Sequence, residues 1–187
     1  MGIWRELRSG VGADTPNVIL VGLPGAGKTT VGRAAAKLLN WPFIDFDTEI
    51  EHREHASIAA IFATKGEAYF RGLEKLISAE LTSCRRTMMS AGGGWITNAD
   101  SVALLRSTSR IIYLRVAPGQ VIDRLVRSRY RRPLLDVPDP HIALANLYRE
   151  RQHLYEAADV TIDTEVVDRK EVIDQVRLYA ESIGQVG

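Results

Sequence analysis

The residue types with the most definite chemistry lie in Gly22-Leu23-Pro24-Gly25-Ala26-Gly27-Lys28-Thr29-Thr30. The stretch fits G-x-x-x-x-G-K-[ST], the pattern of a phosphate-binding P-loop. Glycines let successive backbone N–H groups point into one concavity, an anion nest. A helix starting at the end of the loop adds unpaired N–H groups and the positive end of its dipole. Gly25, Ala26, Gly27, Lys28, Thr29 and Thr30 are therefore the candidate nucleotide contacts. Among them Lys28 suits the β- and γ-phosphates, and the Thr29 hydroxyl suits Mg²⁺.

Carboxylates and guanidinium groups recur downstream. Asp45 and Asp47 close the aromatic-rich, β-favouring run from Trp41 to Asp47, read as a second strand. In a strand this spacing puts both on one face. Open parallel sheets bind ligands beyond the carboxyl ends of their strands. Either Asp alone also suits a helix start, but the pair beside a phosphate cradle points to function. The run Thr87–Ala91 offers no Asp, so Asp45 is the candidate metal-side carboxylate. Glu74 falls on an apolar stripe of Phe70, Leu73, Ile77 and Leu81, with Arg71 three residues before it. Two readings stand: a structural ion pair, or a Glu74 that turns Arg71 toward an anionic substrate. Gly92-Gly93-Gly94 allows close backbone approach to a ligand. Arg151 shares a helix face with Leu147 and Leu154, where it needs a carboxylate or a ligand.

Arg124, Arg127, Arg129, Arg131 and Arg132 crowd ahead of Pro133-Leu134-Leu135. Nucleic-acid binding is weakly supported, because Tyr130 is the one aromatic interleaved with them. A solvated charged face is the bland alternative. The favoured reading is a lid whose arginines close over phosphates.

These side chains need elements to position them. Val18–Val21 reads as a buried parallel strand, and Val31 to Leu39 as an Ala-rich helix ending at Asn40. Helices are expected over 48–53, over 57–62 with Ser57 as N-cap, and over about 68–83. Further strands are expected over 87–91, 110–114 and 159–163. Further helices are expected over 97–106, after Pro118, over 141–157, and from an Asp168/Glu171 capping box to Gly184. This alternation predicts an α/β fold, a mainly parallel sheet covered on both faces. Residues 1–16 read as an N-terminal extension and 17–187 as a single domain. Within it, about 45–75 would build a substrate region and about 124–138 the lid.

Bulk properties bound the function. The chain has 187 residues, 45% hydrophobic and 25% charged, with a net charge of +1. Such a balance gives no global case for nucleic acid or an acidic membrane. Cys84 is the only cysteine, which excludes an internal disulfide and suits a reducing cytoplasm. No apolar run approaches membrane-spanning length. The expectation is a monomer acting on a small molecule, without nucleic-acid or membrane partners.

The ordered set of motifs resembles the shikimate kinase family from about Asn17 to the last helix. The P-loop matches at Gly22–Thr29, the D-x-D…I-E pattern at Asp45, Asp47, Ile50 and Glu51. The S-I-x-x-I-F…G-E…F-R…E stretch matches at Ser57, Ile58, Ile61, Phe62, Gly66, Glu67, Phe70, Arg71 and Glu74. Gly92–Gly94, the R-P-L-L of Arg132–Leu135, and Arg151 with Leu154 and Tyr155 complete it. The resemblance implies a three-layer α/β/α fold with a five-stranded parallel sheet, of the P-loop nucleoside monophosphate kinase type. It implies ATP and Mg²⁺, with shikimate as the small-molecule substrate. Asp47 would hold the substrate hydroxyls and act as, or orient, the base, and Asp45 would hold the metal through water. Arg71, Arg151, Gly92, Gly93 and Gly94 would bind the substrate carboxylate, and Arg132 would reach substrate and transferring phosphate. Arg124 or Arg127 would lie near adenine. The family usually has a small or modest residue after the triple glycine, where this chain has Trp95. An indole there could reshape substrate choice or pack under the helix that follows. A kinase of another hydroxy acid, such as gluconate, and a nucleotide-gated binding protein are the alternatives.

Overall fold

The computed structural model describes residues 15–126 and 139–184, the side chains at 123–126 excepted. The first described strand lies in the middle of the sheet. Strand β1 (Asn17–Val21) is wholly buried, because its Val-Ile-Leu-Val run must be covered on both faces. The loop of Gly22–Gly27 leads into α1 (Lys28–Leu39), and Asn40 ends that helix in the left-handed conformation. Next come β2 (Phe43–Asp45), α2 (Phe46–Glu54) and α3 (Ile58–Leu81). Strand β3 (Met88–Ser90) is followed by a 3₁₀ turn (Trp95–Thr97) and α4 (Ala99–Arg106). The rest is β4 (Ser109–Arg115), α5 (Pro118–Val126), α6 (Pro140–Glu156), β5 (Val160–Asp163) and α7 (Arg169–Ile183).

The five strands are ordered β2-β3-β1-β4-β5 and every pairing is parallel. Right-handed crossovers then put α1 on one face and α2 to α6 on the other. The α7 helix packs on α1, and α3 packs on α2 and α4. The order reverses at β1, so the carboxyl ends of β1, β2 and β3 form one edge, the usual ligand crevice of such a sheet.

One expectation is corrected. The run Trp41–Asp47 is not strand to its end. The Asp45 carboxylate accepts from the Thr48 backbone N–H, which caps a helix there and turns the chain out of the sheet. Asp45 and Asp47 are therefore not strand neighbours on one face: Asp45 is the cap of α2 and Asp47 stands in its first turn. The helices expected at 57–62 and 68–83 are both present: α3 consists of two helical stretches that meet at Gly66, whose backbone (φ 78°, ψ 172°) is not helical. Ser57 does cap it, accepting from Ala60 N–H. The extension 1–16 lies outside the described residues except Thr15 and Pro16, and the lid 124–138 falls outside them apart from the α5 backbone.

Candidate active site

At the end of β1, Gly22, Gly25 and Gly27 all have positive φ, and Gly27 is the residue from which α1 starts. A side chain at Gly27 (φ 97°) would strain the turn that aims the first N–H groups of α1 into the loop. Lys28 is almost fully buried, and its Nζ donates to the Gly22 and Leu23 carbonyl oxygens at 2.9 and 3.0 Å. The ammonium thus lies along the loop rather than in solvent. Ala26 is buried, whereas Thr30 is exposed in the first turn of α1.

Thr29 ties this loop to the neighbouring strands. Its hydroxyl donates to Asp45 Oδ2 at 2.7 Å and lies 3.5 Å from Ser90 Oγ. Asp45 is thus both the helix cap and the carboxylate beside the P-loop threonine. Ser90 escaped the sequence reading, which looked for an Asp at the end of β3. The signal was its last-residue position, in register with Asp45 and Leu20. Three hard oxygen donors meet here. Among the described residues no group of three or more His, Cys, Asp or Glu side chains forms a dedicated metal cage.

A second cluster surrounds the glycine turn after β3. A Cβ on Gly92 would stand 2.8 Å from Asp47 Oδ1 and 3.1 Å from Glu74 Oε1. One on Gly94 would stand 2.7 Å from Arg71 Nη1. The turn is glycine because two carboxylates and a guanidinium press on it. Arg71 donates to Glu74 Oε2 at 2.6 Å and to Glu67 Oε1 at 2.9 Å. Glu74 is fully buried, and its Oε1 has no hydrogen-bond partner among the described residues. Burial pushes its carboxyl up to about 7, against the lowering pull of Arg71, and the nearby Asp47 adds to the rise. The Arg71 guanidinium is held above its ordinary value, burial opposing Glu74 and Glu67 and losing to them.

Gly93 faces α6. Its carbonyl oxygen accepts from Arg151 Nη1 at 3.0 Å and from the Tyr155 hydroxyl at 2.8 Å. Tyr155 is buried and stacks on Tyr113 with ring centroids 5.1 Å apart. It was visible in sequence only as part of a motif, with no role. Trp95 does not line this region. It is fully buried, edge-on to Phe46 at 6.1 Å, with its indole N–H bonded to Ser78 Oγ at 3.0 Å. The structure therefore brings together Lys28, Thr29, Asp45, Asp47, Arg71, Gly92, Gly93, Gly94 and Arg151. Arg127 and Arg132 lie outside the described residues, as does the side chain of Arg124.

Known proteins share this arrangement of chain. Residues 24–180 match the family model of shikimate kinase. The shikimate kinase of Thiobacillus denitrificans is 44% identical over 149 residues, 79% of this chain and 81% of that one. That of Burkholderia pseudomallei is 42% identical over 171 residues, covering 91% and 92%. The solved shikimate kinase of Acinetobacter baumannii in complex with shikimate superposes with a TM-score of 0.83 at 36% identity. It covers 96% of this chain and 97% of that one.

Proposed function

The chain belongs to the shikimate kinase family, and on that premise we propose that it transfers the γ-phosphoryl group of ATP to the 3-hydroxyl of shikimate. One observation carries the reading. Asp47, Arg71 with Glu74, and Arg151 all converge on the Gly92–Gly94 turn at the sheet edge that holds the P-loop. Two guanidinium groups on one turn suit a carboxylate, which accepts paired N–H bonds. Asp47 supplies an acceptor for the substrate hydroxyls and for the proton of the one that reacts.

The phosphates of ATP are assigned to the loop of Gly25, Ala26, Gly27, Lys28, Thr29 and Thr30. Lys28 exchanges its carbonyl partners for the β- and γ-phosphates and offsets charge that spreads over the transferring group. The Thr29, Asp45 and Ser90 oxygens are hard donors, too few to enclose an ion, and so fit Mg²⁺ held largely by phosphate and water. When bound there, Mg²⁺ neutralises phosphate charge. On the strength of sequence resemblance, Arg132 is assigned to the substrate and transferring phosphoryl, and Arg124 or Arg127 to the adenine side. The same reading gives a monomeric cytoplasmic enzyme of aromatic amino acid biosynthesis, without nucleic-acid or membrane partners. Its support is the near-neutral charge, the single cysteine, and the lack of any described helix long and apolar enough to cross a membrane.

The test is ATP consumption with and without shikimate, beside gluconate, other sugar acids and polyols. Strong stimulation by shikimate alone is expected. Stimulation by gluconate instead would move the substrate, and no stimulation by any acceptor would overturn the kinase reading.

A further inference from the structure

Trp95 follows the glycine turn directly, and its contacts reach the turn itself, the α3 helix that bears Arg71 and the α2 helix that bears Asp47. Its backbone N–H donates to the Gly92 carbonyl at 3.0 Å, closing the turn on itself. Its indole N–H donates to Ser78 Oγ at 3.0 Å on α3. Ser78 in turn donates to the backbone carbonyl of Glu74 at 2.7 Å, one helical turn earlier. Glu74 carries the 2.6 Å ion pair to Arg71. On the other side, the indole meets Phe46 edge-on, and Phe46 adjoins Asp47 in the first turn of α2. Trp95 and Ser78 are both fully buried, so neither hydrogen bond competes with water.

We propose that Trp95 is a positioning residue that, through Ser78, fixes the Arg71–Glu74 pair against the glycine turn and so sets affinity for the substrate carboxylate. The inference rests on the reading of Arg71 as the carboxylate ligand of a shikimate kinase. The indole is fully buried and faces Phe46 and Ser78 rather than the open site. It acts by holding α3 at the depth at which Arg71 stands under Gly94. A hydrogen bond between two buried groups is lost asymmetrically when one partner is removed. Deleting the Ser78 hydroxyl orphans an indole N–H, whereas deleting the N–H leaves a hydroxyl that still has Glu74 as partner.

The experiment compares Trp95→Phe, Ser78→Ala and the double variant with the unaltered protein, on shikimate, its methyl ester and ATP, with thermal unfolding of each. Trp95→Phe keeps an aromatic ring for Phe46 and loses the donor. The expectation is a rise of about fivefold to tenfold in KM for shikimate in Ser78→Ala, and a smaller rise in Trp95→Phe. KM for ATP and for the uncharged ester should stay within about twofold, and kcat should change little, the pattern of lost uniform binding. The double variant should bind shikimate better than Ser78→Ala alone, because the orphaned N–H is gone. If Ser78→Ala does not fold, Trp95→Phe and the double variant carry the comparison. Equal shifts for shikimate, ester and ATP, or a lowered melting temperature with KM for shikimate unmoved, would reduce Trp95 to a core residue and overturn the inference. No shikimate-dependent turnover by the unaltered protein would instead overturn the functional reading, and this inference with it.

Discussion

Lys28 and Arg71 bring positive charge to the same sheet edge in different settings, and the setting decides what each does. Lys28 is nearly sealed against two backbone carbonyls of its own loop. Its charge is available to an anion that replaces those carbonyls, which a phosphate chain can do. Arg71 is already paired with two carboxylates, so it stays fixed in direction whether or not a ligand is present. Lys28→Ala and Asp47→Asn should therefore each reduce kcat by about a hundredfold or more while the melting temperature moves little. Arg71→Ala should raise KM for shikimate about tenfold or more and leave KM for ATP within about twofold. Steady-state kinetics in both substrates separates the two cases, and equal effects of Arg71→Ala on both would contradict a carboxylate ligand. Most of these residues were legible in sequence because their spacing is local: the P-loop is contiguous and Arg71–Glu74 is a single helical turn. Ser90 and Tyr155 were not given roles, because theirs are tertiary. Ser90 meets Thr29 only because β3 pairs with β1, and Tyr155 meets Gly93 only because α6 returns to the turn.

At the scale of elements, the boundary between β2 and α2 is where local pattern misled. A D-x-D spacing has the two-residue period of a strand, and the aromatic run before it favours one. The same first Asp is also a strong helix cap, and capping prevails at Asp45 because its carboxylate satisfies the Thr48 N–H. The consequence is functional: the cap holds one oxygen, and the other is left for Thr29 at the P-loop. These two duties separate by substitution. Asp45→Asn keeps a good cap and should unfold in urea close to the wild-type midpoint, whereas Asp45→Ala should be about 1 kcal/mol less stable. Both should need more Mg²⁺ for half-maximal activity, since neither retains the carboxylate. A normal Mg²⁺ requirement in Asp45→Asn would leave Asp45 as a cap alone. By contrast, the alternation of buried strands and amphipathic helices was plain in sequence, because each strand is an apolar run ended by a turn signal. The break within α3 was legible too, because Gly66 takes a positive φ that interrupts the helix and that glycine adopts at least cost.

For the molecule as a whole, the buried Glu74 couples the site to folding. A carboxyl raised from its ordinary 4.5 to about 7 binds its proton more tightly in the native state than in the unfolded one. Below pH 4.5 both states hold the proton and the group contributes nothing to the pH dependence. Between pH 4.5 and 7 the native protein keeps a proton that the unfolded chain has released, so stability falls as pH rises. Above that range both states are ionised and the burial penalty is fully present, on the order of 3 kcal/mol if no rearrangement relieves it. Glu74→Gln removes the titration but keeps an acceptor for Arg71. Urea unfolding of both proteins from pH 5 to 8 should show the stability of Glu74→Gln gaining on wild type up to about pH 7, then running parallel to it. A constant difference across the range would mean that Glu74 titrates like an exposed carboxylate. The same proton bears on binding. Arg71 and Arg151 face the glycine turn with Asp47, Glu67 and Glu74 around them, so protonating Glu74 makes the region more positive by one charge. KM for shikimate should accordingly rise as pH increases through 7, and that rise should be absent in Glu74→Gln. A fold that tolerates a buried, half-ionised carboxylate thus gives up stability at neutral pH in order to hold Arg71 in a fixed direction.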